Sequence, residues 1–286
     1  MVAPANLAVV EIWNTRRFDT WIRFRHLITN GWACHGEAAL ARHRPPTGGH
    51  VLDIGCGFGD TTLEIARAIG PTGRAVGVDA AERFIEEARR RAVAEGVSNA
   101  SFVVADAQCE PLGGPYDYAF ARFGTMFFAD PVAALRNLHG ALQPGAKIAF
   151  VVWRTIEDNA FFRIGERCVR DTVAELAAPE VAVSGPGAFS MADADLVSTQ
   201  FLAAGFYDVM FERFDAPIRI GRDLDEAVTF SASLGPAVEL LKLAKNVGER
   251  ERAALGAALR VALSEFVRAD GVFVPSSTWI ITAAAT

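Results

Sequence analysis

A doubly wound α/β fold, with a mostly parallel sheet and helices on both faces, is predicted from three observations. Short apolar runs alternate with amphipathic helical patterns across residues 49–153. A glycine-rich turn follows the first of those runs, in His50–Asp60 (HVLDIGCGFGD). An acidic residue, Asp79, then ends the second run, Ala75-Val76-Gly77-Val78. Together these describe a strand, a tight turn, a helix and a second strand, the unit from which such sheets are wound.

The elements follow in order. Val51–Ile54 is a short buried strand, and Thr61–Ile69 is a helix with Leu63, Ile65, Ala66 and Ile69 on its inner side. Ala75–Val78 is the second strand and Ala81–Ala94 the next helix. Ser101–Val104 and Tyr118–Ala121 are the third and fourth strands. Pro131 suits the first turn of a helix over Pro131–Leu142, and Lys147–Trp153 is the fifth strand. In a sheet of this kind ligands lie beyond the carboxyl ends of the strands, so the turn at Gly55–Gly59 and the positions after Val78, Val104, Ala121 and Val152 border the expected crevice.

Residues 1–48 read as an N-terminal helical cap, with helices around Ala8–Leu27 and Gly36–Arg42 closed by Pro45-Pro46. Residues 49–286 form the main domain. Two helical insertions exceed what the fold needs, at about 156–189, which contains the break Ser184-Gly185-Pro186-Gly187, and at 224–269. They are expected to cover the crevice as a lid; the alternatives are a thicker domain or a homodimer contact.

Composition narrows the class. The chain has 286 residues, 51% of them hydrophobic, enough for a well-filled core. A formal charge of −6 without a basic cluster argues against a nucleic-acid partner. The apolar runs have strand length, well short of a membrane span. Cys34, Cys56, Cys109 and Cys168 show no metal-ligand spacing, so no metal site is expected and free thiols in a reducing cytoplasm are. The first residues lack the basic start and long apolar core of a secretory signal.

The turn itself narrows the ligand. A dinucleotide site needs G-x-G-x-x-G, with a helix N-terminus on the pyrophosphate. Here Gly55, Gly57 and Gly59 are spaced G-x-G-x-G, and Asp60 takes the third glycine's place. Asp60 at the helix start would repel a diphosphate, and Asp53 adds a carboxylate nearby. A ligand with a sulfonium, an ammonium and no phosphate fits better, which is S-adenosylmethionine. Asp79 is placed to accept hydrogen bonds from its ribose diol. The plainer readings are that Asp79 caps the helix after it and that Asp106 is a turn residue. An NAD-dependent oxidoreductase and a non-catalytic S-adenosylmethionine-binding protein are the functional alternatives.

Asp53–Gly59 (D-x-G-x-G-x-G), Asp79 and Val104-Ala105-Asp106-Ala107 resemble the class I S-adenosylmethionine-dependent methyltransferases. Tyr116–Phe120, Arg122-Phe123-Gly124 and Leu142-Gln143-Pro144-Gly145 resemble most their ubiquinone/menaquinone methyltransferase-like branch. The resemblance implies a Rossmann-like sheet of seven strands, finished by an antiparallel pair assigned to Tyr207–Phe214 and Trp279–Thr282. It also implies a cofactor site of Asp53, Gly55, Gly57, Gly59, Thr61, Asp79, Ala80, Asp106, Ala107, Arg122 and Phe123. In that family the glycine loop cradles the methionine part, the residue matched by Asp106 lies near the adenine amino group, and S-adenosylhomocysteine is the product. The family's N-terminal tyrosine-aspartate-x-methionine-asparagine and its glutamate-x-serine after strand five are replaced by Glu11-Ile12-Trp13-Asn14 and Val151-Val152-Trp153-Arg154. Those departures put a quinone precursor in doubt as acceptor.

Methyl transfer from a sulfonium is an in-line displacement that asks chiefly for alignment and exclusion of water. A base is needed only for a nucleophile that is protonated at neutral pH. His26 is the candidate base, and Arg122 the candidate cation beside the reacting groups. Trp13, Phe127, Phe128, Trp153 and Asn159 are the candidate acceptor contacts, with Trp21 and Trp32 as further aromatic candidates. The acceptor class expected is a small, partly apolar or aromatic molecule, methylated at oxygen, nitrogen or carbon.

Overall fold

Alternation along the central strands sorts side chains into two core layers, and this is what seats helices on both faces of one sheet. In a computed structural model, which describes residues 6–173, 185–244 and 247–286, the central strands are β1 (His50–Ile54), β2 (Arg74–Asp79), β3 (Ala100–Val104), β4 (Tyr116–Arg122) and β5 (Leu142–Trp153). Leu52, Ile54, Ile148, Phe150 and Val152 enter one layer. Val51, Ala149 and Val151 enter the other. A two-residue period with both faces apolar belongs to a sheet covered on both sides. The helices α4 (Asp60–Ile69), α5 (Glu82–Ala94) and α6 (Pro131–Ala141) supply the cover, as the sequence predicts.

The strand order is β3-β2-β1-β4-β5-β8-β6, with β6 spanning Phe206–Gly221 and β8 Gly271–Ala285. Strands β1 to β5 pair in parallel. β8 runs antiparallel to both β5 and β6. The order reverses between β1 and β4, which opens a crevice at their carboxyl ends. The backbones there nearly touch: a Cβ on Gly55 would lie 2.7 Å from Gly124 Cα.

Two strand expectations need correction. Among the described residues the sheet has eight strands, because β7 (Val267–Arg268) pairs with the start of β8. The final antiparallel pair is also far longer than Tyr207–Phe214 and Trp279–Thr282, running from Phe206↔Ala285 to Gly221↔Val272. Pro217 and Pro275 face each other within that pair. Proline ordinarily argues against a strand interior, but this ribbon is held by the buried Ile218, Ile220, Val272 and Val274 on one side of the pair and the buried Ser276 and Thr278 on the other.

The N-terminal segment is helical but broken. It comprises α1 (Leu7–Ile12), α2 (Phe18–Arg23) and α3 (Ala33–Arg42), separated by π-helical turns at Trp13–Arg17 and His26–Gly31. Thr15 leaves helical geometry at φ −119°, ψ −106° while its hydroxyl bonds back to Glu11 O at 2.7 Å, a bond that competes with the helix ladder. The first insertion carries α7 (Ala160–Thr172), and α8 (Ala194–Ala203) follows it; residues 174–184 of that insertion, with Ser184 of the expected break among them, lie outside the described residues. The second carries α9 (Leu224–Ser231), α10 (Pro236–Leu243) and α11 (Glu249–Leu263). Both α10 and α11 pack on α7, so the two insertions form one layer.

Candidate functional site

The glycine turn after β1 is shaped by positive φ at Gly55 (+64°) and Gly57 (+53°) and held by Asp79. Asp79 Oδ2 accepts the Gly57 N–H at 3.0 Å, and Oδ1 accepts the Ala81 N–H at 2.9 Å. The carboxylate therefore tethers the loop and fixes the turn before α5; the N-cap of that helix is Ala81 with no side-chain cap bond, so the plain capping reading of Asp79 is corrected. Burial pushes the Asp79 carboxyl up, against the pull of those two N–H groups. Each oxygen keeps lone-pair capacity beyond these bonds.

Gly59 does something different. Its Cβ would lie 2.7 Å from the Phe102 ring and 2.9 Å from Ala88, so the missing side chain lets α4 settle onto its neighbours. Gly59 does not line the cavity described below, and the expectation that it borders the cofactor is corrected to a packing role. Asp60 also needs correction as an unpaired anion. It forms ion pairs with Arg91 and, at 3.7 Å, with Arg25, and it accepts the Thr29 hydroxyl at 3.3 Å. Its charge is thus largely neutralised, and it loses weight as an argument against a diphosphate.

Asp53 sits beneath the turn, 1% exposed, and accepts the Thr62 hydroxyl at 2.6 Å. Burial pushes its carboxyl up to about 7, against the downward pull of Thr62 and Arg122. Arg122 ends β4 and lies against α3, where a Cβ on Gly36 would be 2.8 Å from Arg122 Cδ. Next to it Phe123 holds φ at +63° and stacks on Trp153, with centroids 4.1 Å apart and planes at 13°. That packing supports a backbone conformation few side chains adopt. Asp106, also 1% exposed, follows β3 and receives the Gln108 N–H at 3.0 Å, the turn role open to it.

These groups border one cavity of about 1060 Å³. Its floor is the carboxyl ends of the strands, with Asp53, Gly55, Gly57, Thr61, Asp79, Ala80, Asp106, Ala107, Arg122 and Phe123 all lining it. Trp13, Phe127, Phe128 and Trp153 line it too, as do Trp21 and Trp32. Trp13 meets Trp21 edge-on at 4.9 Å and Phe127 at 5.0 Å. Among the described residues the buried Trp32 indole N–H has no hydrogen-bond partner. The roof comes from the N-terminal helices, from Phe162 and Phe189 of the first insertion, and from Leu234–Leu240 of the second. Sequence reading missed Phe84, Phe162, Phe189, Arg17 and Glu239. Arg17 alone left a local signal, four residues after Trp13 and so on the same helical face.

Besides Gly59, two candidates stand outside the cavity. His26 Nε2 is 3.0 Å from Glu226 Oε1 on α9, which pins the N-terminal helices to the second insertion. This placement corrects its assignment as a base. Asn159 is buried, donates from Nδ2 to Thr155 O at 2.9 Å and Ser277 O at 3.1 Å, and accepts the Ser277 N–H at 3.0 Å. It is a brace between the start of α7 and β8 rather than an acceptor contact. Asn159→Ala is expected to lower stability by about 1–3 kcal/mol, because it leaves the Ser277 N–H unmet, with S-adenosylhomocysteine affinity unchanged. Chemical denaturation and calorimetry on the same protein check both halves.

His35 is likewise structural. Ser276 Oγ donates to Ala216 O at 2.7 Å, so it accepts from His35 Nε2 at 2.7 Å, and Thr278 Oγ1 donates to Nδ1 at 2.9 Å. Burial, followed by the Arg122 charge, pushes this imidazole down to about 4, so it stays neutral. Among the described residues no cluster of His, Cys, Asp and Glu could hold a metal, and no helix is long and apolar enough to cross a membrane.

Residues 51–145 match the family described as methyltransferase domain. The aklanonic acid methyltransferase DauC of Streptomyces sp. (strain C5) is 39% identical over 118 residues, 40% of this chain and 53% of that protein. The demethylmenaquinone methyltransferase of Lactococcus lactis is 28% identical over 106 residues, 37% of this chain and 42% of that one. The chain thus spans about half the length of the curated relatives it matches. In fold it is similar to the phosphoethanolamine N-methyltransferase 2 of Haemonchus contortus, solved with S-adenosyl-L-methionine, at TM-score 0.58 and 19% identity over 99% of this chain and 60% of that one. Over residues 51–145 the chain therefore matches a methyltransferase domain, and over a similar length it is similar to methyltransferases named for aklanonic acid and for demethylmenaquinone.

Proposed function

We propose that this protein binds S-adenosylmethionine at the floor of the cavity and transfers its methyl group to an O, N or C atom of a small, partly apolar or aromatic molecule. One observation carries the reading: the glycine cradle, Asp79 and Asp106 open into the same cavity as a chamber of tryptophan and phenylalanine. The group fits the residues present. Gly57 leaves room for close approach, because a Cβ there would meet only the Phe84 ring at 3.8 Å, while Gly55 lets the turn close onto Gly124. Asp79 keeps acceptor capacity for a ribose diol, and Asp106 with Ala107 borders the adenine end. Asp53 suits the ammonium. Among the described residues the Arg122 guanidinium has no bonded acceptor, and it suits the carboxylate. When bound, the cofactor supplies an already activated methyl group. The protein's own part is to align the acceptor between Trp13, Phe127, Phe128 and Trp153 and to exclude water.

Relatives named for aklanonic acid and for demethylmenaquinone share the domain, so the domain does not choose the acceptor. Several features support a small molecule as partner and argue against nucleic acid: the roofed cavity, the charge of −6 and the missing basic cluster. The four free cysteines support a reducing cytoplasm as its location. Calorimetric titration with S-adenosylmethionine, S-adenosylhomocysteine and NAD tests the reading. Micromolar binding of the first two alone is expected, followed by a mass gain of one methyl group on an acceptor from a metabolite pool. Binding of NAD in their place overturns it, and cofactor binding without turnover on any pool points to a non-catalytic binding protein.

Asp53 gives a pH-dependent check. Its folded-state pKa of about 7 lies above the usual 3.8, so the fold retains a proton that the unfolded chain has lost between those values. The stability it contributes is full below the unfolded value and is lost as pH rises to about 7. A ligand ammonium beside Asp53 favours the carboxylate and expels that proton. Binding of S-adenosylhomocysteine near pH 6 is therefore expected to release a fraction of one proton (roughly 0.5–0.9). The release is read as different binding heats in two buffers of unlike ionisation enthalpy, and Asp53→Asn removes the difference. Equal heats in native protein would place the ammonium elsewhere.

A further inference from the structure

The aromatic part of the cavity wall holds a cation whose pairing is incomplete. Arg17, in the turn after α1, lines the cavity with its guanidinium 5.0 Å from the Trp13 ring centroid and 5.8 Å from that of Phe127. Its ion pair is a single contact, Nη2 to Glu239 Oε1 at 3.1 Å. That carboxylate is half exposed and already neutralised on its own helix, α10, where Lys242 Nζ lies 2.8 Å from both oxygens. Of the five N–H donors on a guanidinium, one has a partner here among the described residues. The Arg17 side chain is 28% exposed, and the partial burial pushes its pKa below the usual value.

We propose that Arg17 is the specificity determinant of the acceptor site, and that the acceptor is an aromatic acid whose oxyanion docks on Arg17 in place of Glu239. The proposal rests on the methyltransferase reading and names the acceptor class for the same cavity. A ligand oxyanion forms two parallel charge-assisted hydrogen bonds with the guanidinium where Glu239 forms one. Glu239 gives up little on leaving, because Lys242 retains both of its oxygens. The rings of Trp13 and Phe127, beside the guanidinium, receive the acceptor's aromatic body. Arg17 belongs to the N-terminal helices and Glu239 to the second insertion, so the exchange also releases one tie across the roof.

The test uses 2-naphthoate and its neutral counterpart 2-naphthamide as probes, titrated into protein saturated with S-adenosylhomocysteine and read by quenching of tryptophan fluorescence. Native protein is expected to bind the carboxylate about tenfold or more tighter than the amide, the scale of one charge-assisted bidentate contact. Arg17→Gln should bring the two within about twofold of each other while amide binding persists, and Arg17→Lys should restore part of the preference. Glu239→Gln, which removes the competing carboxylate, should tighten the carboxylate about 2–5-fold and leave the amide unchanged. Equal binding of the two probes by native protein, no binding of either, or a preference that survives Arg17→Gln overturns the proposal. Calorimetry with S-adenosylhomocysteine on each variant separates the cases. Retained cofactor binding without the preference sinks only the acceptor class, whereas no binding by native protein sinks the underlying function.

Discussion

Asp79→Ala is expected to weaken binding of S-adenosylmethionine and S-adenosylhomocysteine by about 2–3 kcal/mol, roughly 30–150-fold, the scale of lost hydrogen bonds to a charged group. The structure adds a second route to the loss. Asp79 also accepts the Gly57 and Ala81 N–H groups, so its removal loosens the glycine turn and the start of α5 as well as the proposed ribose contact. Asp79→Asn separates the routes. Its amide oxygen can keep one backbone N–H, but its NH₂ group cannot accept the other, and a neutral acceptor is weaker than a carboxylate. Asn should therefore lose affinity with a smaller fall in melting temperature than Ala. Calorimetry with S-adenosylhomocysteine, alongside thermal melts of the free protein, reads both. Normal affinity in a folded Asp79→Ala protein would mean that the cofactor site has been misplaced.

Gly55→Ala is expected to cost more in stability than any other exchange in the turn, about 2–5 kcal/mol from left-handed strain plus overpacking. The new Cβ would stand 2.7 Å from Gly124 Cα, a backbone atom that no rotamer change can move. Relief requires β1 and β4 to part at the point where the sheet reverses its order, so cofactor binding should be lost with the stability. Gly57→Ala is the matched control. Gly57 has a similar positive φ of +53°, but its Cβ would meet only the Phe84 ring at 3.8 Å. It should cost only the conformational part, about 1–2 kcal/mol, while its methyl group protrudes into the cavity and weakens cofactor binding. Denaturation curves for both variants decide the matter, and equal losses would refute the steric argument.

The legibility of the site follows from the chain separation of its parts. Gly55, Gly57, Asp79, Asp106 and Arg122 each lie at or just beyond the end of a strand, and a strand followed by a turn is recognisable within a dozen residues. Their convergence then follows from parallel pairing, which brings all strand ends to one edge. Trp13, Phe127, Phe128 and Trp153 reached the cavity for a related reason, as large apolar residues just beyond a strand or on an inward helix face. Asn159 has the same position in sequence, yet its partner Ser277 is 118 residues away, and that pairing turned it inward to brace β8. His26 failed likewise, because its partner Glu226 lies 200 residues further on. Asp60 looked like an unpaired anion because Arg25 and Arg91 are distant in the chain.

The sequence by itself determined the parallel sheet, the place of the crevice and the chemistry of its floor. Those rest on short-range backbone preferences: where glycine admits positive φ, where apolar alternation makes a strand, and where a carboxylate can begin a helix. Tertiary structure alone decided the roof and the charges beneath it. The long β6–β8 ribbon runs through two facing prolines because both of its ends are buried. Asp53 is raised to about 7 by burial that no neighbour in the chain announces. Arg17 meets Glu239 across 222 residues, and that contact exists only once the N-terminal helices and the second insertion have closed over the same strands. Burial and pairing are properties of the packed chain, so residues whose roles depend on them show those roles only in the folded protein.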